Sequence, residues 1–175
     1  MLIEPKVLSV VGVLAPPDVR GDDILAACVP SLGAAALATP AREFGYTGYY
    51  EAEMGRVLER FWFCGDRLLP ASELAAWKLA ARELEDRWRD AAGRRRVNLD
   101  PGYMTPLQLA LATTKSLPQA VYLRDGVSAV VELLYRQGRF EPLPWTYPDY
   151  REAAEEGVFE PFRVHLLRRR RGVEP

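Results

Sequence analysis

The sequence predicts an α+β fold, a ferredoxin-like βαββαβ sandwich extended by a short helix and a C-terminal β-hairpin or meander. Three observations predict it. A valine-rich run, Lys6 to Leu14, has the continuous apolar character of a strand buried on both faces. The stretch Ser72 to Ala92 places Leu74, Trp77, Ala81, Leu84 and Trp88 on one stripe at helical spacing. Near the C-terminal end, Asp125-Gly126 and Gln137-Gly138 separate apolar and β-branched runs as hairpin turns do. A chain of 175 residues, 49% apolar and 27% charged, is expected to form one domain with an ordinary core.

Taken in order, the Lys6 strand ends at Pro16-Pro17, and Asp22 is placed to cap a helix that runs through Leu32 and stops at Gly33. Leu37 to Phe44 reads as a strand, Gly45 to Gly55 as an aromatic and acidic loop, and Arg56 to Phe63 as a strand. Ser72 caps the long helix, whose outer face carries Lys78, Arg82, Glu85 and Arg89, and Gly93 ends it. Arg94 to Leu99 is a short strand broken by Asp100-Pro101-Gly102. Thr105-Pro106-Leu107-Gln108 has the form of a capping box, predicting a short helix to about Thr114. Strands follow over Ala120 to Arg124, Val127 to Arg136 and Arg139 to Leu143. Beyond Tyr150 the pattern fades, so the ordered core is expected over residues 6–151, with a flexible basic tail over 165–175.

Several function classes fall away on composition. The net charge of −1 provides no whole-molecule field for nucleic acid or an anionic membrane. Two cysteines, Cys28 and Cys64, cannot build a disulfide framework or a four-cysteine zinc site, and a single histidine, His165, excludes a histidine-rich one. Neither zinc nor haem is expected. The opening Met-Leu-Ile-Glu-Pro-Lys lacks the features of a signal peptide, and the run Val7 to Ala15 is too short to cross a bilayer, so a soluble cytoplasmic protein is expected. The sequence contains no G-x-x-x-x-G-K-[ST] phosphate loop, no G-x-G-x-x-G, no H-E-x-x-H, no G-x-S-x-G and no ribonucleoprotein motif.

Two segments are chemically dense. In the first, Asn98 and Asp100 lie two apart at a strand end and share a face, and Tyr103 precedes the expected helix N-terminus, a place suited to phosphate or carboxylate. Asp100 is the candidate general base or metal carboxylate. Lys115, after Thr114 at the far end of that helix, is the candidate electrostatic clamp. In the second, Pro144 and Pro148 stiffen a segment in which Trp145 and Tyr147 offer flat faces, supported by Asp149. Glu51 and Glu53 could join Asp100 around magnesium. The structural alternatives are a polar turn, a dipole-complementing lysine, an aromatic seal on the core and an exposed acidic loop.

The pieces Tyr49-Tyr50-Glu51-Ala52-Glu53-Met54-Gly55, Arg95 to Tyr103, Leu111-Ala112-Thr113-Thr114-Lys115, Tyr122-Leu123-Arg124-Asp125-Gly126 and Pro144 to Tyr150 together resemble the domain of unknown function 4416 family. The resemblance covers Lys6 to about Arg151, and Gly48 stands where the family tends to have aspartate before its paired tyrosines. It implies no established activity. Some members carry a GTP-binding label, whereas this chain has neither a phosphate loop nor an N-K-x-D motif. The expectation is a small enzyme or ligand-binding domain for an anionic small molecule, a nucleotide or phosphometabolite. Its rival is an RNA- or protein-binding module using the sheet face and the basic ends Arg94-Arg95-Arg96 and Arg168 to Arg171.

Overall fold

A computed structural model describes residues 4–172. Its elements are β1 (Lys6–Ala15), α1 (Gly21–Leu32), β2 (Ala35–Ala38), β3 (Arg42–Glu43), α2 (Glu51–Met54), β4 (Glu59–Pro70), α3 (Leu74–Glu85), β5 (Asn98–Met104), β6 (Gln108–Thr113), β7 (Val121–Arg124), β8 (Val127–Arg136), β9 (Arg139–Pro142), α4 (Pro148–Glu155) and α5 (Glu160–Arg170). The nine strands form one sheet in the order β2-β4-β1-β5-β6-β8-β7, with β3 beside β4 and β9 beside β8. Its strand pairs are antiparallel. The fold is α+β.

Helices cover both faces. Val7, Val11 and Val13 of β1 pack with Ile24 and Cys28 of α1 and with Leu74, Trp77 and Ala81 of α3. Leu8 and Val10 face the other way, into a second core with Trp62, Tyr150, Phe159, Phe162 and Leu166. This double burial is why β1 reads as an unbroken apolar run rather than an alternating one. The turn at Asp125 (φ 53°) and Gly126 (φ 74°) has both central residues in the left-handed region, as a tight hairpin requires.

The expected tail is helix. Residues 160–170 form α5, and its Phe162 and Leu166 are buried; residues 173–175 of that expectation lie outside the described part. Its basic surface residues hid two buried positions one turn apart. The strand expected over Leu37 to Phe44 divides into β2 and β3 around Pro40, and the strand expected at Arg56 begins at Glu59 and continues to Pro70. The expected loop contains the single-turn α2. Neither Asp22 nor Ser72 caps its helix: α1 begins after Arg20 and α3 after Glu73, without a side-chain cap.

The largest difference lies at Asp100-Pro101-Gly102. These residues continue β5 through to Met104, and the expected short helix after Thr105 is strand β6. Thr105 Oγ1 does accept the N–H groups of Leu107 (3.2 Å) and Gln108 (3.1 Å), as a helix cap would. The same local bonds close a hairpin turn here, because Gln108–Thr113 is nearly all buried and finds partners on both sides in β5 and β8. Gly102 is needed at this hairpin: a Cβ there would run into the carbonyl of Ala110 on the facing strand.

Candidate functional site

The site arises because β5 and β6 part company. Their ladder consists of Gly102–Leu111, Tyr103–Ala110 and Met104–Leu109, and it ends there although β5 extends back to Asn98 and β6 on to Thr113. Backbone groups on a strand alternate in direction. Pro101 therefore turns its nitrogen, which carries no hydrogen, to the side where β6 would be paired. One step further along, Leu99 finds substitutes on α3: its N–H donates to Glu85 Oε1 (2.7 Å) and its carbonyl accepts from Lys78 Nζ (3.0 Å). Lys78 and Glu85, expected on the outer face of the helix, are thus buried as stand-ins for a strand.

Between the separated strands lies a cavity of about 570 Å³. Asn98 and Asp100 line it from β5, Thr113, Thr114 and Lys115 from the end of β6, and Glu132 from β8. Arg60 of β4, Lys78, Arg82 and Glu85 of α3, and Asp149 and Tyr150 of α4 complete the charged wall, while Tyr46, Tyr49, Tyr50 and Tyr147 form an aromatic rim.

Arg60 is the centre of the wall. Its side chain is 4% exposed and contacts two carboxylates, Asp100 Oδ2 at 3.2 Å through Nη1 and Asp149 Oδ2 at 2.8 Å through Nε. The second contact is an ion pair without hydrogen-bond alignment, since neither atom has a hydrogen-bond partner. The guanidinium also lies 5.4 Å from the ring centre of Phe44 and 6.0 Å from that of Tyr150. Room for this arrangement comes from Gly12 on β1, where a Cβ would meet the Tyr150 hydroxyl and crowd Arg60 and Trp62. Burial opposes the charge of Arg60, but Asp149 and Asp100 outweigh it and hold its pKa above the ordinary value.

A chain of polar contacts runs outward from Asp100. Asn98 Nδ2 donates to Asp100 Oδ2 (2.9 Å), and Arg95 Nη1 donates to Asn98 Oδ1 (3.0 Å). Arg95 also pairs with Glu85 (3.3 Å) and Glu53 (2.9 Å). Lys78 Nζ stands 3.7 Å from Asp100 Oδ1. Burial alone would raise the pKa of Asp100; Lys78, Arg60 and Asn98 reverse that and hold it below the usual carboxylate value. Asp149 and Glu85 are raised, in each case because burial exceeds the help of their cations.

Glu132 differs from the other carboxylates. It is buried and, among the described residues, forms no ion pair. One carboxylate oxygen accepts the N–H of Tyr147 (3.2 Å). Burial, reinforced by Asp149 and Asp100, pushes its pKa up to about 7. Burial likewise pushes the Tyr147 phenol up to about 12.

Of the residues singled out in the sequence, Asn98, Asp100, Thr114, Lys115, Tyr147 and Asp149 line this one cavity. Lys115 sits just past a strand end rather than a helix end, with Nζ 4.8 Å from the Tyr49 ring centre. Tyr103 lies elsewhere, packed against the α1–α3 core, and no helix N-terminus follows it. Trp145 also lies outside the lining, donating its Nε1–H to the carbonyl of Val131 (2.8 Å). Glu51 pairs with Arg56 and Glu53 with Arg95, so neither joins Asp100. Among the described residues no three histidine, cysteine, aspartate or glutamate side chains are grouped to hold a metal, and the magnesium expectation does not fit these residues.

Sequence reasoning missed Arg60, Lys78, Glu85, Arg95 and Glu132. For Glu132 a signal existed: a lone carboxylate within the apolar run Val130-Val131-Glu132-Leu133-Leu134, since an unpaired charge is seldom buried without purpose.

No curated protein and no solved structure matches the chain. The family model described as Domain of unknown function (DUF4416) matches residues 5–165, and the chain belongs to that family.

Proposed function

We propose that the cleft between β5 and β6 binds an anionic small molecule with a flat portion, in the class of nucleotides and phosphometabolites, as the site of an enzyme or ligand-binding domain. One observation carries this reading. Arg82 and Lys115 line the cleft and, among the described residues, have no ion-pair partner, while Arg60, Lys78 and Arg95 are occupied by carboxylates. Both are exposed at the cleft, where unpaired cations are suited to a phosphate or carboxylate. Tyr46, Tyr49, Tyr50 and Tyr147 at the rim offer surfaces for a ring to stack on.

Within this reading, Asp100 fixes the geometry of the wall and stays ionised. Glu132 is the carboxyl able to exchange a proton near neutral pH. Two carboxyls pushed apart by their surroundings are a common basis for acid–base work. The rival RNA reading has less support: helices cover the central strands on both faces, and Arg94 and Arg96 are engaged by Asp90 and Asp18. The ferredoxin-like reading of the first half is supported by the order β5-β1-β4-β2 with α1 and α3 on one face. A reducing, cytoplasmic setting is supported by Cys28 and Cys64, both free and buried, with burial raising their thiols to about 11 and about 12. Among the described residues no helix is long and apolar enough to cross a membrane.

Calorimetric titration with inorganic phosphate, adenosine monophosphate and glucose 6-phosphate tests the proposal. We expect at least one to bind, and the double variant R82A/K115A to bind it at least tenfold more weakly, about 1.4 kcal/mol or more. Binding that survives the double variant unchanged, or no binding by any of the three, would overturn it.

A further inference from the structure

We propose that the ligand is two-ended, bringing its anionic group to Lys115 and Arg82 and a cationic N–H group, such as an ammonium, to Glu132. This rests on the anion reading above and adds the substrate class: a zwitterion.

The geometry begins with a β-bulge. Leu109 of β6 faces Leu133 of β8 and Ala110 faces Val131, so Glu132 is an extra residue without a partner. A bulge re-aims a side chain. Before it, Val127 belongs to the α1–α3 core; after it, Leu133 belongs to the α4–α5 core although both are odd-numbered. Glu132 consequently points into the cleft instead of alternating away from its neighbour Leu133.

The two ends are separated along the sheet. Thr113, two residues before Lys115, faces Ser128, and Glu132 lies four residues beyond Ser128 on β8. At about 3.3 Å per residue this is roughly 13 Å of strand between Thr113 and Glu132, and Lys115 follows Thr113 at the end of β6 away from Glu132. A ligand that meets both ends is therefore elongated.

Charge follows the same axis. Around Glu132 stand Asp100 from β5, Asp149 and Tyr150 from α4, Tyr147 just before α4, and Arg60 from β4 beyond Asp149. Arg60 and Lys78 balance Asp100 and Asp149, which leaves an ionised Glu132 without a counter-charge. Lys115, without an ion-pair partner among the described residues, lies past Thr113 toward the opposite end, and Arg82 lines the same cleft from α3. Tyr150 is buried against the cleft, its hydroxyl beside the Trp62 indole N–H.

A cation placed beside Glu132 stabilises its ionised form, so binding expels the proton that the empty site holds. With the empty-site pKa at about 7, roughly half a proton is released per ligand at pH 7.

The test uses aminoalkyl phosphates from aminoethyl to aminohexyl, with inorganic phosphate, butyl phosphate and butylamine as single-ended controls. Calorimetry at pH 7 in two buffers of different ionisation enthalpy reads affinity and proton release together. We expect the best-fitting aminoalkyl phosphate to bind at least tenfold tighter than phosphate, with more proton release than butyl phosphate. Glu132→Gln should abolish the advantage of the aminoalkyl phosphate over phosphate measured on the same variant. Equal affinity for phosphate and every aminoalkyl phosphate, with no more proton release than butyl phosphate, overturns the two-ended reading and leaves the anion site standing. Failure of phosphate and of the whole series to bind overturns both. Proton release is read on the native protein, so a variant that folds poorly does not remove the test.

Discussion

Arg60 and Glu132 are both buried charged residues on central strands, yet they contribute in opposite ways. Arg60 touches two carboxylates, so removing it would strand Asp149 and leave Asp100 to Lys78 and Asn98; Glu132 has no cation among the described residues, and its ionisation works against folding. The sign is fixed by the shift. The carboxyl titrates near 4.5 when unfolded and about 7 when folded, so the folded state holds more protons between those values. Stability contributed by this group is therefore greatest below about pH 4.5, falls as pH rises toward 7, and is level above it. Glu132→Gln keeps an acceptor for the Tyr147 N–H and removes the titration. Urea denaturation should show the variant more stable than the parent at pH 8, by up to ~3 kcal/mol, with the gap closing near pH 5. A variant less stable at pH 8 would mean that some cation already serves Glu132. Arg60 was not legible as a site residue in the sequence, because its role shows only through partners distant in the chain, whereas Glu132 left one trace, a lone carboxylate in an apolar run. Asn98 and Asp100 were legible, because strand alternation alone puts them on one face.

At the scale of elements, the hairpin between β5 and β6 shows how local and distant preferences compete. Thr105 makes a cap's hydrogen bonds, and Pro106 follows where a helix would accept it. What decides the outcome is the pair of waiting strand edges, β5 and β8, which no local window contains. The long helix was read correctly in its stripe and incorrectly on its flank, since Lys78 and Glu85 turn inward to serve the backbone of Leu99. That service is testable. Glu85→Ala removes the acceptor for the Leu99 N–H at the point where β6 has left. Amide exchange followed by NMR should show Leu99 exchanging at least tenfold faster, while Val10 and Val11 in the middle of the sheet keep their protection. Equal acceleration across β1 would indicate general destabilisation instead of a local opening.

Across the whole molecule, the two larger cores share one sheet, and β1 contributes side chains to both. The second core closes only when the C-terminal helices return across the sheet. Phe159 lies 5.5 Å from Trp62 edge-on and 5.8 Å from Tyr150 nearly parallel, with Phe162 and Leu166 buried behind it. The aromatic stack also fixes α4, which carries Asp149 and Tyr150 into the cleft, so the last helices support the site from outside it. Burying Phe159, Phe162 and Leu166 contributes about 1.5–3 kcal/mol each, comparable in sum with the ~5–15 kcal/mol that holds a typical domain folded. A chain ended after Gly157 should therefore lose its near-UV circular dichroism and its cooperative thermal transition, although it keeps every strand. The expectation fails if the shortened chain melts within a few degrees of the full one. In that case α5 would be an accessory, and the cleft would owe its shape to the sheet and α4 alone.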